Sequence, residues 1–277
     1  MEQRFIVRGF ASGALGGLLA LAVARVLAEP LIQRAIDYEN GRAAAEGALR
    51  RAAGLAAAAA DPEVYTRGVQ RNAGLGVGMV LFGVAMGGFI AVAYVLVTRG
   101  MRPSARPRSV SLAIAAAGFA GVFLLPFLKY PADPPGIGHA ESIQTRGLLY
   151  LAMVAISLAS VLAAALAARR LQPRLGARKG TLMALGALAA WMAIVMAILP
   201  SLQPQHPLRD RSGTIVYPGF PADLLSQFRL YAVLAQAILW GAVGVAFGAL
   251  AERLVRETGA AGADPRQKGE VNVVTSQ

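Results

Sequence analysis

Residues 73–98, AGLGVGMVLFGVAMGGFIAVAYVLVT, contain neither a charged side chain nor a proline. Wound as a helix rising ~1.5 Å per residue, this stretch is long enough to cross a hydrocarbon core ~30 Å thick. Five more apolar stretches have similar character: 5–28, 110–127, 147–168, 181–199 and 230–250. Of the 277 residues, 56% are hydrophobic and only 15% charged, more apolar surface than a soluble domain of this size could hide. The fold class expected is an all-α integral membrane protein with about six transmembrane helices within residues 1–258. Its first partner is the lipid bilayer.

The charges orient these spans. The connection 99–109 carries Arg99, Arg102, Arg106 and Arg108, and 169–180 carries Arg169, Arg170, Arg174, Arg178 and Lys179, neither with an acid. Such loops stay in the cytoplasm. The opposite connections mix signs, with Lys129, Asp133 and Glu141 in one and Arg209, Arg211, Asp210 and Asp223 in another. Both termini are therefore expected inside a bacterial inner membrane. The formal net charge of +12 is used for this orientation, and no basic patch with interleaved aromatics points to nucleic acid. The chain has no cysteine, which removes disulfides and thiolate chemistry. The first stretch follows Arg4 and Arg8 like a signal peptide, but Ala28-Glu29-Pro30 is a poor cleavage site, so it reads as a retained span.

The long outer connection, 29–72, has an alanine-rich middle from Arg42 to Ala60 with Arg50 and Arg51 inserted, which predicts a helix outside the membrane. Asp61-Pro62-Glu63 reads as an N-cap followed by proline at the first helical position, so the second spanning helix is expected to begin well above the membrane. Residues 259–277 mix glycine, proline and charge and are expected to be disordered. Gly9 with Gly13, Gly83 with Gly87, and Gly74, Gly76 and Gly78 have the spacings at which helix backbones approach closely in lipid.

The outward connections share punctuation. Each odd span ends at a proline (Pro30, Pro126, Pro200), and each even span is entered through a glutamine and an arginine: Gln70-Arg71, Gln144 with Arg146, Gln227 with Arg229. Tyr130-Pro131-Ala132-Asp133 also resembles Tyr217-Pro218 followed by Pro221-Ala222-Asp223. The pattern predicts three outward hairpins in a parallel repeat. A proline removes a backbone donor, so carbonyls about a turn earlier, near Val26, Val122 and Met196, are expected to lack helical partners. Together with the negative ends of three helix dipoles and nearby carboxylates, they would attract a cation. The same prolines also serve merely to stop helices, and the Gln-Arg pairs to snorkel at the interface.

Arg25 lies inside the first span near its outer end, and Glu29 one turn on is within ion-pair reach. No acid lies in the other five spans, which argues against a carboxylate proton relay. His139 and His206 sit in outer loops beside Glu141 and Asp210, donors suited to Zn, Ni or Co, although neither histidine has a standard ligand spacing. No nucleotide-binding loop, metalloprotease helix or nucleophile elbow is present, so no enzyme activity and no resident cofactor are expected.

Three segments carry a resemblance: RGFASGALGGLLALAVARVLAEPLIQRAIDYE (8–39), LLPFLKYPADPPGIG (124–138) with IQTRGLLY (143–150), and FPADLLSQFRL (220–230). Together they resemble the CbtA family, described as predicted cobalt transporter subunits. The resemblance implies an inner-membrane protein that imports cobalt beside a small one-span, histidine-bearing subunit, CbtB. By position, the matching residues are Arg25, Glu29 and Pro30; Lys129, Tyr130, Pro131, Asp133, Pro134 and Pro135; and Pro221, Asp223 and Arg229. Family members often carry acids and histidines in the first outer loop, where this chain is almost all alanine.

The resulting expectation is a membrane subunit of a divalent-metal importer, with Co2+ as the inferred ion. Glu29, Asp133 and Asp223 would form an outer mouth, and His139, His206 or the partner's imidazoles would favour cobalt over harder ions. A transporter of another small solute, lined by Tyr130, Tyr217 and Gln203, and a non-transporting membrane scaffold are the competing readings.

Overall fold

The computed structural model describes residues 2–56, 66–99, 106–135, 137, 143–202 and 206–261. Six helices among them are long and apolar enough to cross a membrane, and the protein is an all-α integral membrane protein. In chain order they are α1 (Glu2–Val23), continued through a π-helical turn (Ala24–Ala28) into α2 (Glu29–Ala52); a short turn α3 (Arg67–Val69) and a second π turn (Gln70–Gly74) leading into α4 (Leu75–Arg99); α5 (Pro107–Gly118), a third π turn (Phe119–Leu124) and α6 (Leu125–Lys129); α7 (Ile143–Leu175); α8 (Ala177–Ile198); and α9 (Ala222–Ala261). A two-stranded antiparallel ribbon, β1 (Leu208–Arg209) and β2 (Ile215–Tyr217), lies between α8 and α9. Asp61-Pro62-Glu63 and residues 262–277 lie outside the described residues, while 259–261 complete α9.

Alternate connections gather at opposite ends of the bundle, as an even number of crossings requires. At one end Arg99 pairs with Glu2, Arg8 with Glu257 at 3.3 Å, and Arg108 with Glu252 at 2.5 Å, so the start of α1 and the last turns of α9 sit together. At the other, Tyr130 Oη donates to the Pro200 carbonyl (2.9 Å) and Tyr38 Oη to that of Pro218 (2.8 Å). This second end is called the loop end below.

Glycine decides which helices touch. A Cβ built on Gly9 would lie 2.5 Å from the Gly87 carbonyl oxygen, and one on Gly17 2.7 Å from that of Met79. Gly13 and Gly83 meet in the same way, so α1 and α4 pack backbone to backbone along their length. Gly16, on another face of α1, receives Val243 of α9, and Gly244 and Gly248 of α9 receive Ala115 and Arg108 of α5. The buried cluster of α1, α4, α5 and α9 includes Phe5, Ile90, Tyr94, Val243 and Phe247, with the Tyr94 and Phe247 rings edge to face at 5.3 Å. Gly74, Gly76 and Gly78, singled out by spacing, make no close approach.

The chain order is that of three hairpins, but the packing treats them unequally. The first pairs α1 with α4, and the second packs its π turn and α6 on α7. In the third, α8 packs on α7 rather than on α9, which lies against α1 and α5. The sequence equivalence of the hairpins therefore does not extend to their neighbours. A groove of about 550 Å³ runs between α7 and α8, lined by Ala159, Ala163, Ala167 and Ala187, with Trp191 donating to Ser160 Oγ at 3.1 Å.

Two of the three prolines do not end their helices, which corrects the sequence reading. Pro200 does follow the end of α8, but the helix runs through Pro30 and Pro126. In both places a π turn precedes the proline, and the residue before it donates five residues back: Glu29 N–H to Ala24 O, Leu125 N–H to Ala120 O. The register shift puts the missing donor in the first turn of a new α segment, where none is needed. It also leaves the Gly121 carbonyl without a helical donor, because Leu125 bonds to Ala120 and Pro126 has no N–H. Buried Ser157 on α7 supplies the bond. Ser157→Ala is expected to lower stability by about 1 kcal/mol, read as a fall in the detergent-solubilised melting temperature.

Candidate functional site

The loop end brings together the residues that the sequence singled out. Helix α2 leaves the membrane carrying Arg34, Asp37, Glu39, Arg42 and Glu46, a composition no bilayer core would accept. Its base stays packed: Leu31 and Ala35 bury against Leu224 at the start of α9, with Phe220, Phe228 and Tyr231 around them. Higher on α2, Tyr38 is buried against Tyr217 and Phe220, at centroid distances of 5.2 and 4.9 Å. Gly41 leaves room for the Tyr217 ring, whose hydroxyl donates to the Tyr38 carbonyl at 3.2 Å. The ribbon between α8 and α9 is thereby fastened to α2.

Asp133 holds the centre. Tyr130 to Pro134 leave the end of α6 without helical structure, Pro134 buries, and the Asp133 side chain is 15% exposed. One carboxylate oxygen accepts from Arg146 at the start of α7, and the other from Arg229 of α9 at 2.7 Å. Arg146 also donates to the Ile137 carbonyl (3.2 Å) and Arg229 to that of Ala132 (3.4 Å). One acid thus ties the third, fourth and sixth spans together. Beside it, Lys129 Nζ reaches Ser201 Oγ at 3.2 Å, and burial raises the Tyr130 phenol above its ordinary pKa, keeping it a neutral donor to Pro200.

The other expected metal donors are spread around this centre. Glu29, 7% exposed, follows the first π turn, one turn from Arg25, which donates to Asn72 Oδ1 at 2.8 Å. Asp223 begins α9 in an exposed pair with Arg34 at 3.8 Å. His206 lies beside α2, where its carbonyl accepts from Arg42 at 3.0 Å. His139, Glu141 and Gln203 fall outside the described residues. Among the described residues no three His, Asp or Glu side chains converge as a metal site would require. Asp210 instead closes the ribbon's turn, accepting from Ser212 Oγ at 2.6 Å and Thr214 N at 2.9 Å. Those bonds, led by the Ser212 hydroxyl, hold its carboxyl below the usual range.

Of the matched prolines, Pro134 is buried, Pro131 and Pro221 half-buried, and Pro30 and Pro135 exposed. Sequence reasoning passed over Gln236 and Trp240 of α9. Gln236 is the one carboxamide within the six apolar stretches, a signal that was there to be read. Its Oε1 and the Trp240 Nε1 are buried with no hydrogen-bond partner among the described residues.

No curated protein and no solved structure matches this chain. A family profile described as "probable cobalt transporter subunit (CbtA)" matches residues 2–252, spanning all six apolar helices and every element of the loop end. With so much of the sequence inside one match, the chain belongs to the CbtA family.

Proposed function

We propose that this protein is the membrane-spanning subunit of a divalent-metal importer, carrying cobalt with a small histidine-bearing partner. The observation that carries the reading is the family match over residues 2–252 on six apolar helices. The family is one of transporter subunits. In this reading the protein is not an enzyme. It lies in a bacterial inner membrane with both termini cytoplasmic, because the acid-free arginine connections fall at the end where Arg8 of α1 meets Glu257 of α9.

The ion arrives at the loop end, where Glu29, Asp133 and Asp223 lie on elements packed around the first turns of α9. Asp133 with two guanidiniums carries a net charge of +1, which repels a cation, so the ion is handed over by imidazoles of the partner or His206. It reaches Asp133 only as Arg146 or Arg229 lets go. Oxygen donors alone would favour harder ions, so the imidazole supplies the preference for cobalt.

Cobalt accumulation in metal-starved cells tests the reading. Cells making this chain and its partner are expected to accumulate more Co2+ than cells making the partner alone. Equal accumulation would leave the chain a scaffold. If uptake survives Glu29→Gln combined with Asp223→Asn at unchanged membrane abundance, the mouth lies elsewhere.

A further inference from the structure

The proposed reading brings an ion to the loop end but gives it no polar foothold within the bilayer, and α9 supplies one. The register between α9 and the third span is fixed by successive contacts. Gly248 lies against Arg108 and Ser111, Gly244 against Leu112 and Ala115, and the Trp240 ring covers Gly118. Ser111 Oγ donates to the Gly244 carbonyl at 2.7 Å in the same seam. Continuing this antiparallel series by one turn sets Gln236 opposite residues 121–122, inside the π turn Phe119–Leu124 on which α9 also packs.

Two unpaired groups of opposite kind therefore stand one turn apart on a single face. Trp240, 3% exposed, offers a donor, and Gln236 Oε1 offers an acceptor, both buried without a protein partner among the described residues. Leaving a buried donor and acceptor unmet costs about 1–3 kcal/mol each. Native proteins rarely retain such groups unless water or a ligand meets them. The neighbouring seams show the contrast: Ser111 and Ser157 are buried too, and both are bonded. The π turn opposite is a further departure from regular helix, of a kind that recurs at functional sites.

We propose that Gln236 and Trp240, facing the π turn of the third span, form an aqueous station in the membrane interior that passes a hydrated divalent cation. A water there accepts from Trp240 Nε1 and donates to Gln236 Oε1. As the ion passes, the carboxamide oxygen accepts from its hydration shell and offsets part of the desolvation that a wholly apolar seam would impose. No proton or covalent step is involved. The cation identity rests on the importer reading; the water does not.

The absence of native cysteine makes the station directly testable. Gln236→Cys, in membranes that also hold the partner, is expected to react with a water-soluble cationic methanethiosulfonate at least about tenfold faster than Val245→Cys on the exposed side of α9, because only a wetted thiol ionises readily. In parallel, Gln236→Leu is expected to lower Co2+ uptake about tenfold or more at equal membrane abundance, equivalent to ~1.4 kcal/mol on the barrier, whereas Gln236→Glu retains uptake. A thiol at 236 no more reactive than one at 245 overturns the station, as does full uptake by Gln236→Leu. A wild-type chain that carries no cobalt with its partner defeats the importer reading separately, since the labelling contrast is read without transport.

Discussion

Gly13→Val is expected to be among the most destabilising single substitutions in this protein, lowering stability by about 3 kcal/mol or more. The added side chain would project into the backbone of Gly83 and Val84, which cannot move aside as a flexible side chain could. Helices in lipid gain little from apolar burial against one another, so their association depends on close packing of this kind. Separating α1 from α4 would also disturb Gly16, through which α1 meets α9. Gly78→Val is the control, because nothing lies within 4 Å of a Cβ there. Thermal unfolding in detergent should show a large fall for Gly13→Val and little change for Gly78→Val. Equal behaviour of the two would mean that the α1–α4 seam does not hold the bundle.

Asp133→Asn is expected to be the most damaging change at the loop end, lowering stability by about 2–3 kcal/mol. The carboxylate is largely buried and each oxygen meets a different guanidinium, so the amide leaves two partly buried cations facing each other without a counter-charge. Arg229→Lys keeps the charge but loses the planar fork that serves both Asp133 and the Ala132 carbonyl. It should fall between wild type and Asp133→Asn. Protease resistance of the segment 130–135 in membrane vesicles would report the loss locally. By contrast, Asp223→Asn breaks only an exposed pair at 3.8 Å and should leave that resistance unchanged.

The six crossings were legible because hydropathy and length alone decide whether a helix can cross lipid, and nothing in tertiary structure can reverse that for stretches such as 73–98. The fate of Pro30 and Pro126 was not, since proline marks a missing donor without saying whether the chain stops or shifts to a π turn. That choice depends on what meets the released carbonyl, and Ser157, 36 residues after Gly121, could not be assigned to it by spacing. Glycine spacing identified Gly9, Gly13, Gly83 and Gly87 correctly but also Gly74, Gly76 and Gly78, because spacing does not say which face meets a neighbour. At the loop end, Asp133, Arg146 and Arg229 all stood out in the sequence. Their union in one latch did not, because Arg229 belongs to a different repeat from Asp133 and Arg146 and the repeats pack unequally. Gln236 carries no charge and left the mean hydropathy of its span high, although an uncharged amide in a span has the same demand for a partner.

Everything proposed for the loop end requires that it face outward while the arginine connections remain in the cytoplasm. Single cysteines at Ser201 and Arg178, placed in this cysteine-free chain, measure that directly with a membrane-impermeant thiol reagent. Ser201→Cys is expected to be labelled in intact spheroplasts and Arg178→Cys only after the membrane is opened. Labelling of both from the outside, or of Arg178→Cys alone, would contradict the arrangement of the spans and with it the importer.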